Sequence, residues 1–108
     1  MTLIPETIRR KMTIYPKFYQ RVWKACASIP KGEVRTYGWI AKNIGHPGAA
    51  RAVGQALAAN PFAPAIPCHR VIGASGAMTG YSGQGGIQRK KSLLLKEGVS
   101  LDYRRISP

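Results

Sequence analysis

The chain has 108 residues, enough for one compact domain and too few for two ordinary ones. A hydrophobic fraction of 44% supports a packed core and excludes global disorder, and no window approaches the roughly 20 apolar residues of a membrane span. Lysine and arginine number 17 against 4 acids, a net charge of +13; a polyanionic partner would relieve the resulting self-repulsion, so nucleic acid leads and an inert basic surface is the plain alternative.

Residues 1–15 read as an N-terminal arm or a short, weakly held element, and residues 16–108 as a single domain. Arg9, Arg10 and Lys11 are not followed by a long apolar stretch, so the start does not read as a secretory signal. Cys26 and Cys68 allow at most one disulfide; without an export signal, free thiols in a reducing compartment are expected, in the cytoplasm or nucleoid or in a nucleus. The spacing of these cysteines with His46 and His69 matches no zinc pattern, so no metal is expected.

Pro16 suits the first turn of a helix. Phe18, Val22, Cys26 and Ile29 then recur at helical spacing, with Lys17, Arg21 and Lys24 mostly on the other side, until Pro30-Lys31-Gly32 ends the pattern. Glu33-Val34-Arg35 is a short extended piece, and Thr36 is placed to cap a second helix over residues 37–44. After the turn Gly45-His46-Pro47-Gly48, a third helix spans residues 49–58, rich in alanine and carrying Gly54. Two short helices around a tight turn are the outline of a helix-turn-helix, though an ordinary packed helical pair shares it. Asn60-Pro61 stops the third helix, and the prolines up to Pro67 impose extended backbone. Val71-Ile72 and Ala77-Met78 flank Gly73-Ala74-Ser75-Gly76 as a small hairpin, and residues 80–86 form a glycine-rich loop. A last helix over residues 87–97 stops at Gly98, and residues 99–103 are a weak strand before a basic tail.

Cys68 lies in Ile66-Pro67-Cys68-His69-Arg70-Val71, a nucleophile beside a base on a cationic chain. A free thiol has a pKa of about 8.5, and His69, Arg70 and the domain's positive field are expected to favour the thiolate. Pro67 points to a turn that presents the side chain; the alternative is an inert, buried thiol. On a strand, His69 would face away from Cys68, so a role as base needs a turn or a water between them; a phosphate contact or a core histidine is the other reading. Glu97 sits at a helix C-terminus, where the dipole disfavours a carboxylate unless a partner such as a histidine compensates, or unless the placement is chance. Cys26 lies on an apolar stripe and reads as core. Arg51 is the long side chain of the N-terminal half of the third helix, suited to fill the gap left by an extruded base or to meet a phosphate. Tyr37 is read as a phosphate or sugar contact, or as a core aromatic. Arg89, Lys90 and Lys91 form a basic cluster read first as a solvated face and second as a phosphate contact.

In order along the chain stand Thr36-Tyr37-Gly38, Ala50-Arg51-Ala52-Val53-Gly54, Asn60-Pro61, Ile66-Pro67-Cys68-His69-Arg70-Val71, Gly80-Tyr81-Ser82-Gly83 and Glu97-Gly98. With these blocks the chain resembles the C-terminal, active-site domain of the O6-alkylguanine-DNA alkyltransferases (methylated-DNA–protein-cysteine methyltransferases), from about Phe18 to Gly98. The resemblance implies a mainly α, winged-helix-like domain with a helix-turn-helix and a small β-hairpin. It implies Cys68 as alkyl acceptor, His69 as the base acting through a water, Glu97 as the group orienting His69, and Asn60 as the tie between the active-site turn and the recognition helix. It also implies Arg51 as the finger replacing a flipped nucleotide, Tyr37 as the residue rotating the base, Tyr81 and Ser82 as the closing loop, and the backbones of Cys68 and Val71 as readers of the guanine edge. Gly54 and Lys90 are placed with the DNA-contacting residues, and the small side chains of the third helix suit a minor groove.

The resemblance does not extend to the family's usual N-terminal ribonuclease-H-like domain, and Gln84 and Gly85 lengthen the loop between Gly83 and Gly86. Shortness is a feature of the alkyltransferase-like proteins, which bind such lesions without repairing them and commonly carry tryptophan at the cysteine position; this chain has Cys68. The expected function is therefore single-turnover DNA repair. The protein flips O6-alkylguanine out of double-stranded DNA and moves the alkyl group irreversibly to Cys68, as a monomer with no cofactor. A lesion-binding module that recruits other repair proteins is the alternative. A cysteine hydrolase is a third reading, against which the basic helix-turn-helix argues.

Overall fold

The computed structural model describes residues 4–73 and 86–99. Its first element, α1 (Glu6–Met12), corrects the expectation of an arm. Met12 is buried, and Ile4, Ile8 and Tyr15 pack against the same core cluster. Ile4, Ile8 and Met12 recur at four-residue spacing and make a narrow apolar stripe, with Arg9, Arg10 and Lys11 turned away from it.

Helix α2 (Lys17–Ala27) starts with Pro16 as its N-cap, one position before the first turn, and buries Val22, Trp23, Ala25, Cys26 and Ala27. Trp23 is its anchor. The indole ring packs edge-on to Tyr15 and Phe62, at centroid distances of 5.0 and 5.8 Å. Its Nε1–H donates to the carbonyl of Ala56 at 2.8 Å, which satisfies the one polar atom of a wholly buried side chain.

Strand β1 (Arg35–Thr36) runs directly into α3 (Tyr37–Asn43). The Thr36 hydroxyl accepts from the Trp39 amide at 3.0 Å, the expected cap. At the far end of α3, Gly45 takes φ +85°, its amide donates to Lys42, and the His46 amide donates to Ala41. These paired bonds are a Schellman closure, and the glycine makes the left-handed residue inexpensive. The turn leads into α4 (Ala50–Ala58), which packs on both α2 and α3, so the two short helices form the expected helical pair.

After α4 come a 3-10 turn (Cys68–Arg70), strand β2 (Val71–Ile72) and helix α5 (Gly86–Lys96). Among the described residues, β2 pairs in parallel with β1, Arg35 opposite Val71 and Thr36 opposite Ile72. The second arm of the expected hairpin, Ala77 and Met78, falls outside the described residues, as do residues 100–103 of the expected last strand. Helix α5 also ends in a Schellman closure: Gly98 takes φ +85° and donates to Leu95, and Val99 donates to Leu94, with Val99 and Leu94 both in a small second core. No helix among the described residues is long and apolar enough to cross a membrane.

Candidate active site

The site is built on a loop that proline prevents from becoming a helix and Asn60 prevents from being slack. Asn60 is buried at the end of α4. Its Nδ2 donates to the Ile66 carbonyl at 3.1 Å, and its Oδ1 accepts from the Phe62 amide at 2.8 Å, so one side chain holds both ends of the segment between them. The Cys68 amide then donates to Ile66 at 2.8 Å and the Arg70 amide to Pro67 at 2.9 Å, winding residues 68–70 into the 3-10 turn. Successive side chains on such a turn are rotated by about 120°, not the half-turn of a strand. The geometric objection to His69 serving its neighbour is thereby removed. The pairing of β1 with β2 also places this turn beside the start of α3, where Tyr37 stands.

Burial dominates the electrostatics. Cys68 is 6% exposed and His69 2%. Desolvation pushes the Cys68 thiol above its ordinary 9.0, and the Asn60 side chain and the charge of Lys90 only partly oppose this. The expectation of a thiol activated by its neighbours His69 and Arg70 is therefore corrected. The ground state is the thiol, and the cation that acts on it is Lys90. Cys26, in the core as expected, is pushed up further still by burial and by Cys68.

His69 is held neutral. Burial lowers its pKa below 6.5, Glu97 opposes that in part, and Arg70 and Lys90 reinforce it. Its Nε2 lies 3.1 Å from Glu97 Oε2. That approach is off the direction in which a ring N–H donates, so the pair is a close electrostatic contact and not an aligned hydrogen bond. Nδ1 is buried and has no partner among the described protein atoms. Glu97 follows the last residue of α5, where Gly98 fixes the backbone. Its main partner is Arg70. Arg70 Nε donates to Oε1 at 2.9 Å and Nη2 to Oε2 at 2.7 Å, a two-pronged fork, while Nη1 donates to the Ile29 carbonyl at 2.8 Å. Burial alone would raise the Glu97 carboxyl, but Arg70 and then His69 overcome it and hold the group below 4.5.

Lys90 is the second correction. It was expected on a solvated or phosphate-contacting face, yet its side chain is wholly buried and its Nζ donates to the Val71 carbonyl at 2.7 Å. Burial lowers its pKa to about 8, with both cysteines pulling the other way. It is placed to act on Cys68, not on DNA. Val71 is buried and its carbonyl already accepts from Lys90.

The remaining predicted residues fall on the α3–α4 side. Tyr37 is half-buried at the first position of α3, and Arg51 is exposed in the first turn of α4. A methyl group added at Gly54 would meet nothing nearer than the Tyr37 ring at 4.0 Å, an ordinary contact. Nothing inside the described protein therefore requires glycine there. Tyr81 and Ser82 lie outside the described residues. No group of three or more His, Cys, Asp and Glu side chains among the described residues is arranged to hold a metal.

Residues 17–99 match the family model described as 6-O-methylguanine DNA methyltransferase, DNA binding domain. The chain belongs to this methyltransferase family. Among curated members, the methylated-DNA–protein-cysteine methyltransferase of Mycobacterium tuberculosis is 65% identical over 77 residues, covering 71% of this chain and 46% of that protein. The Shigella flexneri protein of the same description is 54% identical over 84 residues, covering 78% and 48%. The chain thus spans about half the length of the curated relatives it matches. Among solved structures, M. tuberculosis OGT in complex with DNA superposes with a TM-score of 0.73 at 61% identity, covering 77% of this chain and 50% of that one. S. pombe Atl1, in complex with damaged DNA containing O6-carboxymethylguanine, superposes with a TM-score of 0.70 at 42% identity, covering 78% of each chain.

Of the functional groups of this family member, the clamp made by Arg70 and the buried charge of Lys90 were missed from sequence. Arg70 reaches Glu97 across 27 residues, a contact that no local pattern announces. Lys90 did carry a signal: it sits one turn before Leu94, which is also fully buried, and so lies on the inward stripe of α5.

Proposed function

We propose that this chain repairs DNA by accepting an alkyl group from O6-alkylguanine onto Cys68, once per molecule, and that it corresponds to the C-terminal, active-site half of its longer relatives. The observation that carries this reading is the buried Cys68 on a 3-10 turn, preceding a neutral His69 that is backed by Glu97 and Arg70. Each part has a task. The thiol must lose its proton to react, and a neutral buried imidazole with an unpartnered Nδ1 can take it, through one water. Glu97 then stabilises the imidazolium that forms. The sulfur attacks the alkyl carbon as the bond to O6 breaks and its electron pair leaves on guanine, and the charge of Lys90 favours the thiolate on the way.

The base must leave the duplex to reach a sulfur so buried, at a cost of a few kcal/mol that is smaller for a poorly paired lesion. Arg51 takes the vacated place in the stack and Tyr37 meets the rotating nucleotide. Helix α4 enters the minor groove of double-stranded DNA, where the missing side chain at Gly54 allows close approach. Tyr81 and Ser82 close over the guanine. The resulting thioether is a poor leaving group, which makes the protein a reagent and not a recycling catalyst. It needs no cofactor, works as a monomer, and acts where DNA and reduced thiols coexist, in the nucleoid or nucleus.

The decisive experiment is intact-protein mass after incubation with a duplex containing O6-methylguanine. The expected result is the gain of one methylene on Cys68 and no gain in Cys68→Ser. Tight binding with unchanged mass would instead point to lesion recognition without transfer and overturn the alkyl-transfer reading. Arg51→Ala is expected to slow transfer from duplex more than from the free modified base; equal losses would remove its role as a finger.

A further inference from the structure

We propose that the outer face of α2, together with α1, is a second phosphate-binding surface that engages a second duplex while α4 holds the first. Lys17, Arg21 and Lys24 are exposed and follow one another at three- and four-residue intervals, so they form a row along one side of α2. Arg9 and Arg10 of α1 are exposed as well. Among the described residues, the one carboxylate that pairs with any of these five cations is Glu6, shared between Arg9 at 3.9 Å and Arg10 at 3.6 Å in open solvent. No carboxylate among the described residues pairs with Lys17, Arg21 or Lys24.

The row is flanked on each side by a surface concavity, and Lys24 lines both. One lies between α1 and α2 and includes Arg9, Arg10, Thr13 and Gln20. The other lies between α2 and the end of α3 and includes Arg21, Ser28 and Asn43. Glu6 and Met12 complete the first lining and Ala25 and Ile44 the second, while Thr13, Gln20 and Ser28 already donate to the backbone carbonyls of Arg10, Tyr15 and Ala25, so the cations are the groups left to meet phosphate. The aromatic anchors that carry protein–protein affinity are not in the row. That composition favours a nucleic-acid backbone over an acidic protein.

Position separates this surface from the lesion-binding face. Helix α2 turns Val22, Trp23 and Cys26 inward, and Trp23 bonds to Ala56 of α4. The basic row is on the opposite side of α2. With helices about 10 Å across, it lies roughly 20 Å from the outer surface of α4. The Debye length at physiological salt is about 8 Å, so these charges do little for a duplex seated on α4 and need a partner of their own. A second segment of DNA meets that need, and holding two segments lets a single-use protein pass between them without dissociating into bulk solution.

The inference rests on the reading that α4 takes the lesion duplex, and its test reads the two separately. A lesion-bearing duplex is fixed to a surface, the full chain is bound to it, and capture of a second, fluorescent, unmodified duplex is measured, alongside methyl transfer on a short duplex in solution. The unmodified protein is expected to capture the second duplex through single protein molecules, as judged by the mass of the bridged complex. Lys17→Gln/Arg21→Gln/Lys24→Gln should lower capture about tenfold and reduce its log–log salt slope by roughly 2 to 3, near 0.9 per lost phosphate contact. Glutamate at the same positions should abolish capture, and both variants should keep the methyl-transfer rate. Capture unchanged in the glutamine variant overturns the proposal, as does bridging that needs two protein molecules, or capture and transfer falling together, which would put the row on the lesion duplex. Bridging without any methyl transfer would sink the alkyl-transfer reading and leave this one standing. Preference for an acidic peptide over duplex DNA at the row would overturn it in favour of a protein partner.

Discussion

A thiol buried to 6% exposure is a poor nucleophile unless its surroundings compensate, and the partial compensation here comes first from the Asn60 side chain and then from a lysine with no exposed surface. At an effective dielectric constant of about 20, a unit charge is worth roughly 4 kcal/mol at about 4 Å and between about 1 and 2 kcal/mol at about 10 Å. Lys90→Met is therefore expected to slow alkyl transfer roughly tenfold at pH 7. Because the pKa of Lys90 is lowered to about 8, the unmodified protein loses the same charge as the pH rises past that value. The gap between the two proteins should close by about pH 9.5, a convergence that stopped-flow transfer rates across pH would reveal; a constant ratio would assign Lys90 a purely structural role. Cys68, His69, Asn60 and Glu97 were legible in the sequence because the motifs carry them. Arg70 was legible only as a nearby charge, because its fork onto Glu97 exists only once α5 has folded back against the turn.

The helices follow from their ends. Thr36, Gly45 and Gly98 were readable as a cap and as stops, and each makes the backbone bonds its residue type predisposes. Helix α1 was not readable in this way: it is short, its N-cap Pro5 makes no side-chain bond, and a run of basic residues masked its stripe. Helix α4 gives the sharpest prediction at this scale. Glycine costs a helix about 1 kcal/mol relative to alanine, and a methyl at Gly54 meets only ordinary contact with Tyr37. Gly54→Ala should thus raise the unfolding free energy by up to about 1 kcal/mol while weakening duplex binding. Thermal melting and fluorescence anisotropy would check the two halves independently, and a variant that melts higher and binds DNA equally well would remove the close-approach argument.

For the molecule as a whole, the parallel pairing of β1 with β2 was beyond the sequence pattern, since its partners lie 36 residues apart in register (Arg35 with Val71) and the local signal favoured a hairpin. Acid stability should expose the buried network. His69 has a folded pKa below 6.5, so its contribution is complete above 6.5 and is lost as pH falls through the lower folded value. Glu97, held below 4.5, loses its contribution in the same direction in a lower window. The melting temperature is expected to fall in two stages on acidification, and His69→Gln should remove the upper stage, which begins as the pH falls below 6.5, while keeping the lower; identical slopes in both proteins would contradict this. The bond from the indole of Trp23 to the Ala56 carbonyl has a practical corollary. It couples an intrinsic fluorophore to the backbone of α4, so any strain that a bound duplex imposes on that helix should register in the emission of the unlabelled protein, an optical gauge supplied by the fold itself.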